Sequence, residues 1–424
     1  MTDPAPFPRR ADAVVIGGGV VGVSAALLLA ERGLTVVLCE KGRVAGEQSS
    51  RNWGWIRKTG RDPRELPLMI EASALWERFA AETGEETGHA RRGVTYLCGD
   101  AAELARREVW LEAVRPFQLD SRMLSARETA ALLNRDESPF AGALHTPSDA
   151  TAEPACAVPA LARRARALGV AIHEGCAIRA LLREAGAVRG VVAERGTIRA
   201  DRVILAGGVW TRALLENEGL RFPQLAVTAS VLRTTSAPTI APGGLGATDA
   251  AIRRRGDGGY TVARVGAARF DLTPAAFRYL PDFLRSAMAE ARTLKFRLGP
   301  AFVGPMGRRR WTAEAASPFE RWRVLDPAPD RALLREVFDS AKRLHPQLAG
   351  AGIAETWGGM IDVTPDELPV IDAVPGVPGL VVASGFSGHG FGLGPGGALL
   401  AAQIATGEAP AVDPTPFRWA RLAA

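Results

Sequence analysis

The first forty residues contain two short apolar runs separated by a helical pattern. Ala13–Ile16 is a continuous apolar run, which is typical of a strand buried on both faces of a parallel sheet. Residues 23–32 are rich in Ala and Leu and end at Gly33, which predicts a helix with a glycine C-terminal cap. Residues 34–39 form the second apolar run. Together the segments predict one strand–helix–strand unit.

The rest of the chain alternates between helical and strand periods. The pattern predicts helices at residues 69–79, 101–114, 159–168, 281–294 and 398–406, and strands at residues 94–97, 170–172, 177–182, 187–193, 197–199, 202–206, 226–233, 260–264, 268–271 and 380–383. We find no internal repeat and no low-complexity linker. The chain is therefore expected to weave between two domains rather than to divide at one boundary.

Composition excludes several protein classes. The 424 residues are 47% hydrophobic and 23% charged, which is typical of a globular protein and not of a disordered, collagen-like or coiled-coil chain. The length suggests roughly two or three domains. Forty-eight of the 52 basic residues are Arg, and acidic residues are interleaved with them, so the net charge is only +6. A nucleic-acid-binding surface would cluster its cations, and we therefore expect no nucleic-acid partner.

The cysteines and the N-terminus indicate a cytoplasmic protein. Cys39, Cys98, Cys156 and Cys176 form no CxxC motif and no Cys/His pair, so neither a zinc site nor a disulfide framework is expected. The five His residues also lack metal-ligand spacing, and we expect no metal. Pro and Asp before the first apolar run, and glycines within it, argue against a signal peptide. Peripheral contact with the cytoplasmic face of a membrane stays open, because basic surfaces attract anionic lipids.

A glycine motif lies at the turn between the first strand and the first helix. In GGGVVG, Gly17 allows a tight turn, Gly19 lets a pyrophosphate approach the helix N-terminus, and Gly22 lets helix and strand pack closely. Glu40 follows the second strand, 18 residues after the last glycine, where a carboxylate binds ribose hydroxyls. These features predict a dinucleotide site; the alternative is a glycine-rich turn that binds no nucleotide.

A second glycine-rich segment lies near the C-terminus. Residues 384–397 contain seven glycines, whose conformational freedom is costly unless the backbone must meet a ligand closely. Beside a dinucleotide motif, a flat ligand of this kind is a flavin. Pro395 suits the first turn of the following helix, whose positive end would lie near the N1/O2 edge of the flavin.

Most candidate cofactor residues come from the two glycine segments, the loop SSRNWG and the apolar strand that ends in AGGVW; the others are Glu40, Lys41, Ile178 and Gly359. We predict that the cofactor contacts Gly17, Gly19, Val20, Val21, Gly22, Glu40, Lys41, Ser49, Ser50, Arg51, Asn52, Trp53, Gly54, Ile178, Ala206, Gly207, Gly208, Trp210, Gly359, Gly388, His389, Gly390, Phe391, Gly392 and Leu393.

Four segments share their order and spacing with a known family: VVIGGGVVGVSAALLLAERG, ILAGGVWT, WGGMIDVTPDELPVI and GFSGHGFGLGPGG. They resemble the D-amino acid oxidase superfamily of FAD oxidoreductases, which includes glycine oxidase, sarcosine oxidase and D-amino acid dehydrogenases. The resemblance implies an α/β (α+β) fold, with a Rossmann-like FAD-binding domain interleaved with an antiparallel β-sheet substrate domain. We expect the FAD domain at residues 1–82, 146–222 and 350–424, and the substrate domain at residues 83–145 and 223–349.

The resemblance also implies a reaction. FAD would oxidise the C–N bond of an amino acid or a secondary amine, with hydride transfer from the α-carbon to flavin N5 and hydrolysis of the resulting imine. The partners would be that substrate and an electron acceptor, which is oxygen, a quinone or another compound.

Three departures from the family pattern refine these expectations. Residues 340–392 contain no Cys that could tether the flavin, so we expect noncovalent FAD. Gly392 stands where sarcosine oxidase-like members have a Lys after GHGF, which favours a dehydrogenase over an oxidase. Ile361 stands where glycine oxidase-like members carry an Arg for the substrate carboxylate, and Asp362 follows it.

Four residues are candidates for the reaction itself. Arg57 suits a substrate carboxylate, although it could instead pair with Asp62 or the FAD phosphates. Tyr260 could donate a hydrogen bond to the substrate, or be an ordinary half-buried strand residue. Asp362 could hold the substrate ammonium or take its proton, or make a structural hydrogen bond. His389 could shape the glycine loop and the flavin edge, or act as a base.

Two other functions remain open from the sequence. An NAD(P)H-using flavin monooxygenase or reductase would require a second nucleotide motif or a GD-type flavin motif, and we find neither. A noncatalytic flavoprotein that serves as an assembly factor would keep the fold alone, and the intact glycine loops argue against this interpretation.

Overall fold

Two large sheets organise the chain. The computed structural model describes residues 7–284, 294–304, 307 and 310–422. The strands are β1 Ala13–Ile16, β2 Val36–Cys39, β3 Trp55–Ile56, β4 Ala90–Arg91, β5 Val94–Cys98, β6 Arg122–Ser125, β7 Gly142–Thr146, β8 Ala150–Thr151, β9 Ala171–His173, β10 Ile178–Glu184, β11 Ala187–Ala193, β12 Gly196–Arg199, β13 Arg202–Leu205, β14 Leu225–Thr234, β15 Gly244–Gly246, β16 Ala251–Arg254, β17 Tyr260–Ala263, β18 Ala268–Asp271, β19 Leu294–Arg297, β20 Ile353–Val363, β21 Val370–Ala373 and β22 Leu380–Ser384.

Helices cover these sheets and connect them. They are α1 Val20–Glu31, α2 Gln48–Arg51, α3 Leu66–Thr83, α4 Ala101–Ala113, α5 Ala126–Leu132, α6 Pro154–Ala167, α7 Thr211–Asn217, α8 Pro274–Arg278, α9 Pro318–Arg321, α10 Arg331–Leu344 and α11 Gly390–Thr406.

The six-stranded sheet has the order β21-β22-β13-β1-β2-β9, and only its β21–β22 pair is antiparallel. Strand β1 packs on both faces: Ala13 and Val15 join the core beneath helices α1, α6 and α11, whereas Val14 and Ile16 face the small sheet β10-β11-β12. The chain leaves β1 toward β2 on one side and returns to β13 on the other. This reversal creates a crevice at the carboxyl ends of β1 and β13, where doubly wound sheets bind ligands.

The ten-stranded sheet is mainly antiparallel and has the order β19-β18-β14-β17-β16-β15-β5-β7-β6, with β20 also paired to β14. Strand β20 pairs with β14 from Ile353 to Val363, so these residues belong to this sheet. The expected FAD-domain boundary at residue 350 therefore falls too early. The interleaved α/β architecture with an antiparallel second sheet agrees with the expectation.

The last helix differs from the sequence prediction. Helix α11 begins at Gly390 and not at residue 398, so Pro395 lies inside it rather than in its first turn. Proline has no N–H for the carbonyl four residues earlier, which belongs to Phe391. The Trp76 indole satisfies that carbonyl instead, at 3.2 Å, and also donates to the carbonyl of Gly392 at 3.1 Å. A side chain from another helix thus lets the glycine-rich segment stay helical.

Two further predictions need correction. The strand predicted at residues 170–172 is shifted by one residue: β9 covers Ala171–His173 and pairs in parallel with β2 in the six-stranded sheet. The helix predicted at residues 281–294 is helical as far as residue 284, whereas Leu294 begins β19; residues 285–293 lie outside the described part of the chain.

Candidate active site

A cavity opens at the carboxyl ends of β1 and β13. It contains about 1270 Å³ of space outside protein atoms, open solvent included. Predicted cofactor residues from all four sequence segments line it: Gly17, Gly19, Val20, Val21, Glu40, Lys41, Ser49, Asn52, Ile178, Ala206, Gly207, Gly208, Trp210, Gly388, Gly390 and Phe391. The two ends of the chain therefore meet at one site.

Glycines keep the floor of this cavity free of side chains. Gly17 has φ +109°, and a Cβ there would lie 2.4 Å from the carbonyl oxygen of Ala206. A Cβ at Gly22 would lie 2.0 Å from the carbonyl oxygen of Gly17. In the C-terminal glycine-rich segment, a Cβ at Gly394, which does not itself line the cavity, would lie 2.8 Å from the side chain of Val20. Only glycine permits these approaches, which expose the N-terminus of α1 to the cavity.

Glu40 lies at the end of β2 and holds two turns. Its Oε2 accepts a hydrogen bond from Gly18 N and its Oε1 accepts one from Gly42 N, both at 2.7 Å. Burial raises the pKa of Glu40, against the effect of these two donors. Each carboxylate oxygen has a further lone pair, so the group can also accept hydrogen bonds from ribose hydroxyls.

We expect Glu40→Gln to weaken FAD binding about 10- to 100-fold, since the amide would turn an N–H₂ toward Gly18 or Gly42 N–H and weaken charge-assisted hydrogen bonds. The measurement is the ratio of flavin to protein absorbance after dialysis, followed by titration of the apoprotein with FAD. Glu31→Gln, at the other end of α1, is the matched control. An unchanged dissociation constant would remove Glu40 from the nucleotide site.

One wall of the cavity comes from residues 319–325, a segment that the sequence patterns did not single out. The Lys41 ammonium lies over the Trp210 ring, 4.5 Å from its centroid, and donates to the carbonyls of Trp322 and Arg323. Glu47 accepts from Lys41, from the Trp210 indole and from Leu325 N. Phe319 and Val324 line the cavity beside them. These contacts join residues far apart in sequence, and no local pattern predicts them.

Some predicted cofactor residues do not line the cavity in the described structure. They are Gly22, Ser50, Arg51, Trp53, Gly54, Gly359, His389, Gly392 and Leu393. Arg51 pairs with Asp326 at 2.6 Å, and Leu393 is fully buried in the core. A Cβ at Gly359 would lie 2.5 Å from Oε1 of the cavity-lining residue Gln48, an atom that is buried and has no hydrogen-bond partner in the described structure.

Asp362 lines the cavity, where its carboxylate ties three segments together. Its Oδ2 accepts from Gly385 N at 2.7 Å, from Gln224 Nε2 at 3.0 Å and from Ser384 Oγ at 3.3 Å. Burial raises the pKa of Asp362, although these donors oppose that shift. The geometry therefore favours the structural hydrogen bonds over a role with the substrate ammonium.

We expect Asp362→Ala to lower turnover about tenfold with stoichiometric flavin retained, since the loop that starts at Gly385 would lose its anchor at a cost of ~1–3 kcal/mol. We expect Asp362→Asn to restore most of the turnover, because an amide oxygen can still accept from Gly385 N. Steady-state kinetics of both variants measure this difference. An Asn variant as slow as the Ala variant would mean that the negative charge itself is required.

Two other candidates do not line this cavity. Tyr260 is 1% exposed; its hydroxyl donates to Pro238 O and accepts from Ile240 N, each at 2.9 Å. This placement in the core of the large sheet corrects the expectation that Tyr260 meets the substrate. The Arg57 guanidinium lies over the Tyr96 ring at 5.5 Å and donates to the Thr59 carbonyl. Its carboxylate-binding role stays a prediction.

His389 belongs to a buried charged cluster behind the cavity. Its Nδ1 lies 3.0 Å from an oxygen of the fully buried Glu65, whose Oε2 is 3.8 Å from Arg61 Nη1. Burial lowers the pKa of His389 to about 4, with the charge of Arg61 acting in the same direction. His389 is therefore neutral at physiological pH, and its Nδ1 proton points to Glu65. This arrangement supports the loop-shaping interpretation of His389.

The cluster also changes the interpretation of position 392. A Cβ at Gly392 would lie 3.4 Å from Arg61 Nη2, so a buried guanidinium lies beside the position at which the family resemblance leads us to expect a Lys. Burial lowers the pKa of Arg61 only to about 10, which leaves it charged. A missing Lys therefore does not mean a missing cation here.

A second cavity of about 1010 Å³ lies against the large sheet. Met360 lines both cavities, so the two adjoin at β20. Arg212, Arg269 and Arg297 line the second cavity with Asp271 and Asp326, so the lining carries one net positive charge. Arg269 and Arg297 both contact Asp271, at 3.1 and 2.7 Å. Leu225, Ala226, Leu325 and Pro327 supply apolar lining. The sequence analysis missed Arg269, because only the pairing of β18 with β14 brings it there.

Comparisons of the sequence with known proteins show which family this chain belongs to. A family model described as FAD dependent oxidoreductase matches residues 12–404. The chain belongs to this family. Glycine oxidase of Pseudomonas putida is 27% identical over 95% of this chain and 97% of its own length. The beta subunit of sarcosine oxidase from Arthrobacter is 27% identical over 98% of this chain and 92% of its own.

A solved structure of L-amino acid deaminase from Proteus myxofaciens, in complex with anthranilate, is similar along almost the whole chain. It shares 31% identity with a TM-score of 0.93, covering 99% of this chain and 95% of that one. The resemblance found in the sequence is thus confirmed, and the cofactor of this FAD-dependent oxidoreductase is FAD.

The residues present fit FAD. The bare glycine floor, the N-terminus of α1, the Glu40 carboxylate and the unpartnered Gln48 oxygen match a pyrophosphate, a ribose and a polar ring. Within residues 7–284, 294–304, 307 and 310–422, no helix is long and apolar enough to cross a membrane. In the same part of the chain, no group of three or more His, Cys, Asp or Glu could hold a metal ion.

Proposed function

We propose that this FAD-dependent oxidoreductase oxidises the C–N bond of an amino acid whose carboxylate binds at Arg269. The observation that carries the proposal is the adjoining pair of cavities, one suited to FAD and one with a net positive charge, which share Met360. A carboxylate at Arg269 would place the carbon that bears the amine toward Met360 and the first cavity. The names of similar proteins support this choice, since glycine, sarcosine and L-amino acids are all amino acids.

The chain's own residues bind, orient and shield the substrate. Arg269 can form charge-assisted hydrogen bonds with the carboxylate, and apolar side chains such as Leu225 and Leu325 pack on the substrate side chain. The segment that contains Leu325 lines this cavity, and its hydrogen bond to Glu47 anchors it to the first one, which helps to exclude water. Bound FAD would accept the hydride equivalent from the α-carbon.

Anaerobic mixing tests the proposal. We expect one or more amino acids from a panel of D-, L- and N-methyl compounds to bleach the flavin band, whereas NADPH alone does not. Bleaching by NADPH but by no amino acid would instead support the monooxygenase or reductase. A flavin that no member of the panel reduces would favour the noncatalytic alternative.

For the electron acceptor we propose a quinone-type compound, so that the enzyme acts as a dehydrogenase. The support comes from the exposed apolar surface described in the next subsection, which would bring the enzyme to a pool of lipid-soluble acceptors. Comparison of oxygen consumption with reduction of a soluble ubiquinone analogue measures the choice directly. Rates with air-saturated buffer that equal those with the quinone would identify an oxidase.

We further propose that FAD is noncovalent and that the enzyme acts in the cytoplasm or at its membrane face. All four cysteines are free thiols, which supports a reducing compartment. Cys39, the cysteine that lines the FAD cavity, lies next to Glu40 at the nucleotide end rather than at the glycine loop. Acid precipitation should therefore release the flavin into the supernatant.

A further inference from the structure

A helical segment after β18 is apolar on two sides. Ala275, Tyr279 and Phe283 are buried against the large sheet and Leu225. Phe277, Leu280 and Leu284 follow the i, i+3, i+7 spacing of one helix face, yet each is more than half exposed. A helix that is apolar on both sides is normally buried on both sides. In the described structure, the second apolar side of this helical segment is exposed instead.

A second exposed apolar segment extends this face. Leu298 and Val303 are each 71% exposed, and Phe302 lies between them in sequence. The Phe302 ring contacts the Phe277 ring, with centroids 6.3 Å apart, so the two segments form one surface. We call Phe277, Leu280, Leu284, Leu298, Phe302 and Val303 the apolar patch. Contiguous surfaces of this kind mark sites of interaction.

Three ion pairs near the apolar patch have the same orientation. Arg297 has 52% of its side chain exposed, whereas its partner Asp271 has 14%. Lys295 and Asp330, and Arg221 and Asp282, repeat this asymmetry: the cation lies outside and the acid inside. In each pair the less exposed carboxylate fixes the position of the cation. The more exposed member of each pair is therefore the positively charged one. An apolar centre with a cationic rim is the pattern of proteins that lie on anionic bilayers.

We propose that the apolar patch docks on a bilayer that contains anionic phospholipid. Its six side chains enter the interfacial region, and the surrounding Arg and Lys side chains contact lipid phosphates. Arg297 also lines the second cavity, so docking would bring the substrate cavity close to the bilayer. The proposal does not require the proposed function, because lipid binding and flavin reduction are measured separately.

Vesicle flotation of the purified flavin-loaded protein tests this surface. We expect flotation with vesicles of phosphatidylglycerol and phosphatidylcholine, and at least tenfold less with phosphatidylcholine alone or at high salt. The double variant Phe277→Ser/Phe302→Ser should reduce flotation at least tenfold while retaining flavin. Val109→Ser is the matched control, because Val109 is 72% exposed on α4, outside the patch. Lys295→Gln removes one of the surrounding cations and should reduce flotation less than the double variant does.

Three results would overturn the proposal. Parent protein that floats with neither vesicle has no bilayer surface. Equal flotation of the parent and the Phe277→Ser/Phe302→Ser variant would place binding elsewhere. A parent that elutes as a dimer without lipid, when the patch variant is a monomer, would identify a second copy of the chain as the occupant. In each case the bleaching of the flavin by amino acids still reports on the proposed function independently.

Discussion

Replacing Arg269 with Met should lower kcat/KM for the amino acid substrate by about 10²- to 10³-fold. Arg269 is one of three arginines that line the cavity adjoining the FAD site, and we propose that it pairs with the substrate carboxylate; removal of one partner of a charge pair that is buried in a complex costs roughly 2–5 kcal/mol. Methionine keeps the apolar length of the stem. Flavin content should stay unchanged, because Arg269 does not line the FAD cavity in the described structure. Stopped-flow reduction under anaerobic conditions measures the loss.

A decarboxylated substrate makes this test specific. The amine that lacks the carboxylate should react equally slowly with the parent and with Arg269→Met, since neither complex would contain the ion pair. Arg264→Met, at an exposed ion pair with Asp249 outside the cavity, is the matched control and should behave as the parent. Loss of activity toward both compounds in Arg269→Met would mean that the residue shapes the fold rather than binds the carboxylate.

Replacing Glu65 with Ala should lower the free energy of unfolding by about 3–5 kcal/mol, the cost of leaving a buried charge without its partner. Glu65 is fully buried, and Arg61 is 3% exposed. The variant would leave the Arg61 guanidinium unpaired and remove the hydrogen-bond acceptor of His389. Chemical denaturation of the flavin-loaded protein, followed by tryptophan fluorescence, measures the change.

Two further variants separate charge burial from simple truncation. Glu77→Ala, on the helix α3 that follows Glu65, removes an exposed ion pair with Arg91 and should cost no more than about 1 kcal/mol. Adding Arg61→Leu to Glu65→Ala should recover part of the loss, because the unpaired charge disappears. If Glu65→Ala is no less stable than Glu77→Ala, the cluster does not behave as a buried charge network.

The sequence predicts the nucleotide half of the site well, because that half is local. Residues 13–40 contain strand, glycine turn, helix and acidic residue in one short segment, and the structure places them as expected. The helical start of the C-terminal glycine-rich segment was harder to predict. Its composition predicts a loop, yet the indole of Trp76, more than 300 residues away in sequence, makes it a helix. Intrinsic helix propensity depends on local sequence and does not reflect a contact between residues so far apart.

The substrate half could not be predicted, because it depends on pairing between distant strands. Arg269 reaches its cavity through the antiparallel pairing of β18 with β14, and Met360 through that of β20 with β14. Tyr260 lies on the same sheet, but its hydroxyl turns into the core toward Pro238. A one-residue change of register would exchange these inward and outward positions. Residue type alone therefore does not distinguish Arg269 from the many other arginines.

The wall built from Gly390–Thr406 affects how this protein matures during synthesis. Val20, in the first turn of the first helix, packs against Gly394, so the flavin cavity is complete only after the helix Gly390–Thr406 has been synthesised. We therefore expect FAD to bind only after this helix has left the ribosome.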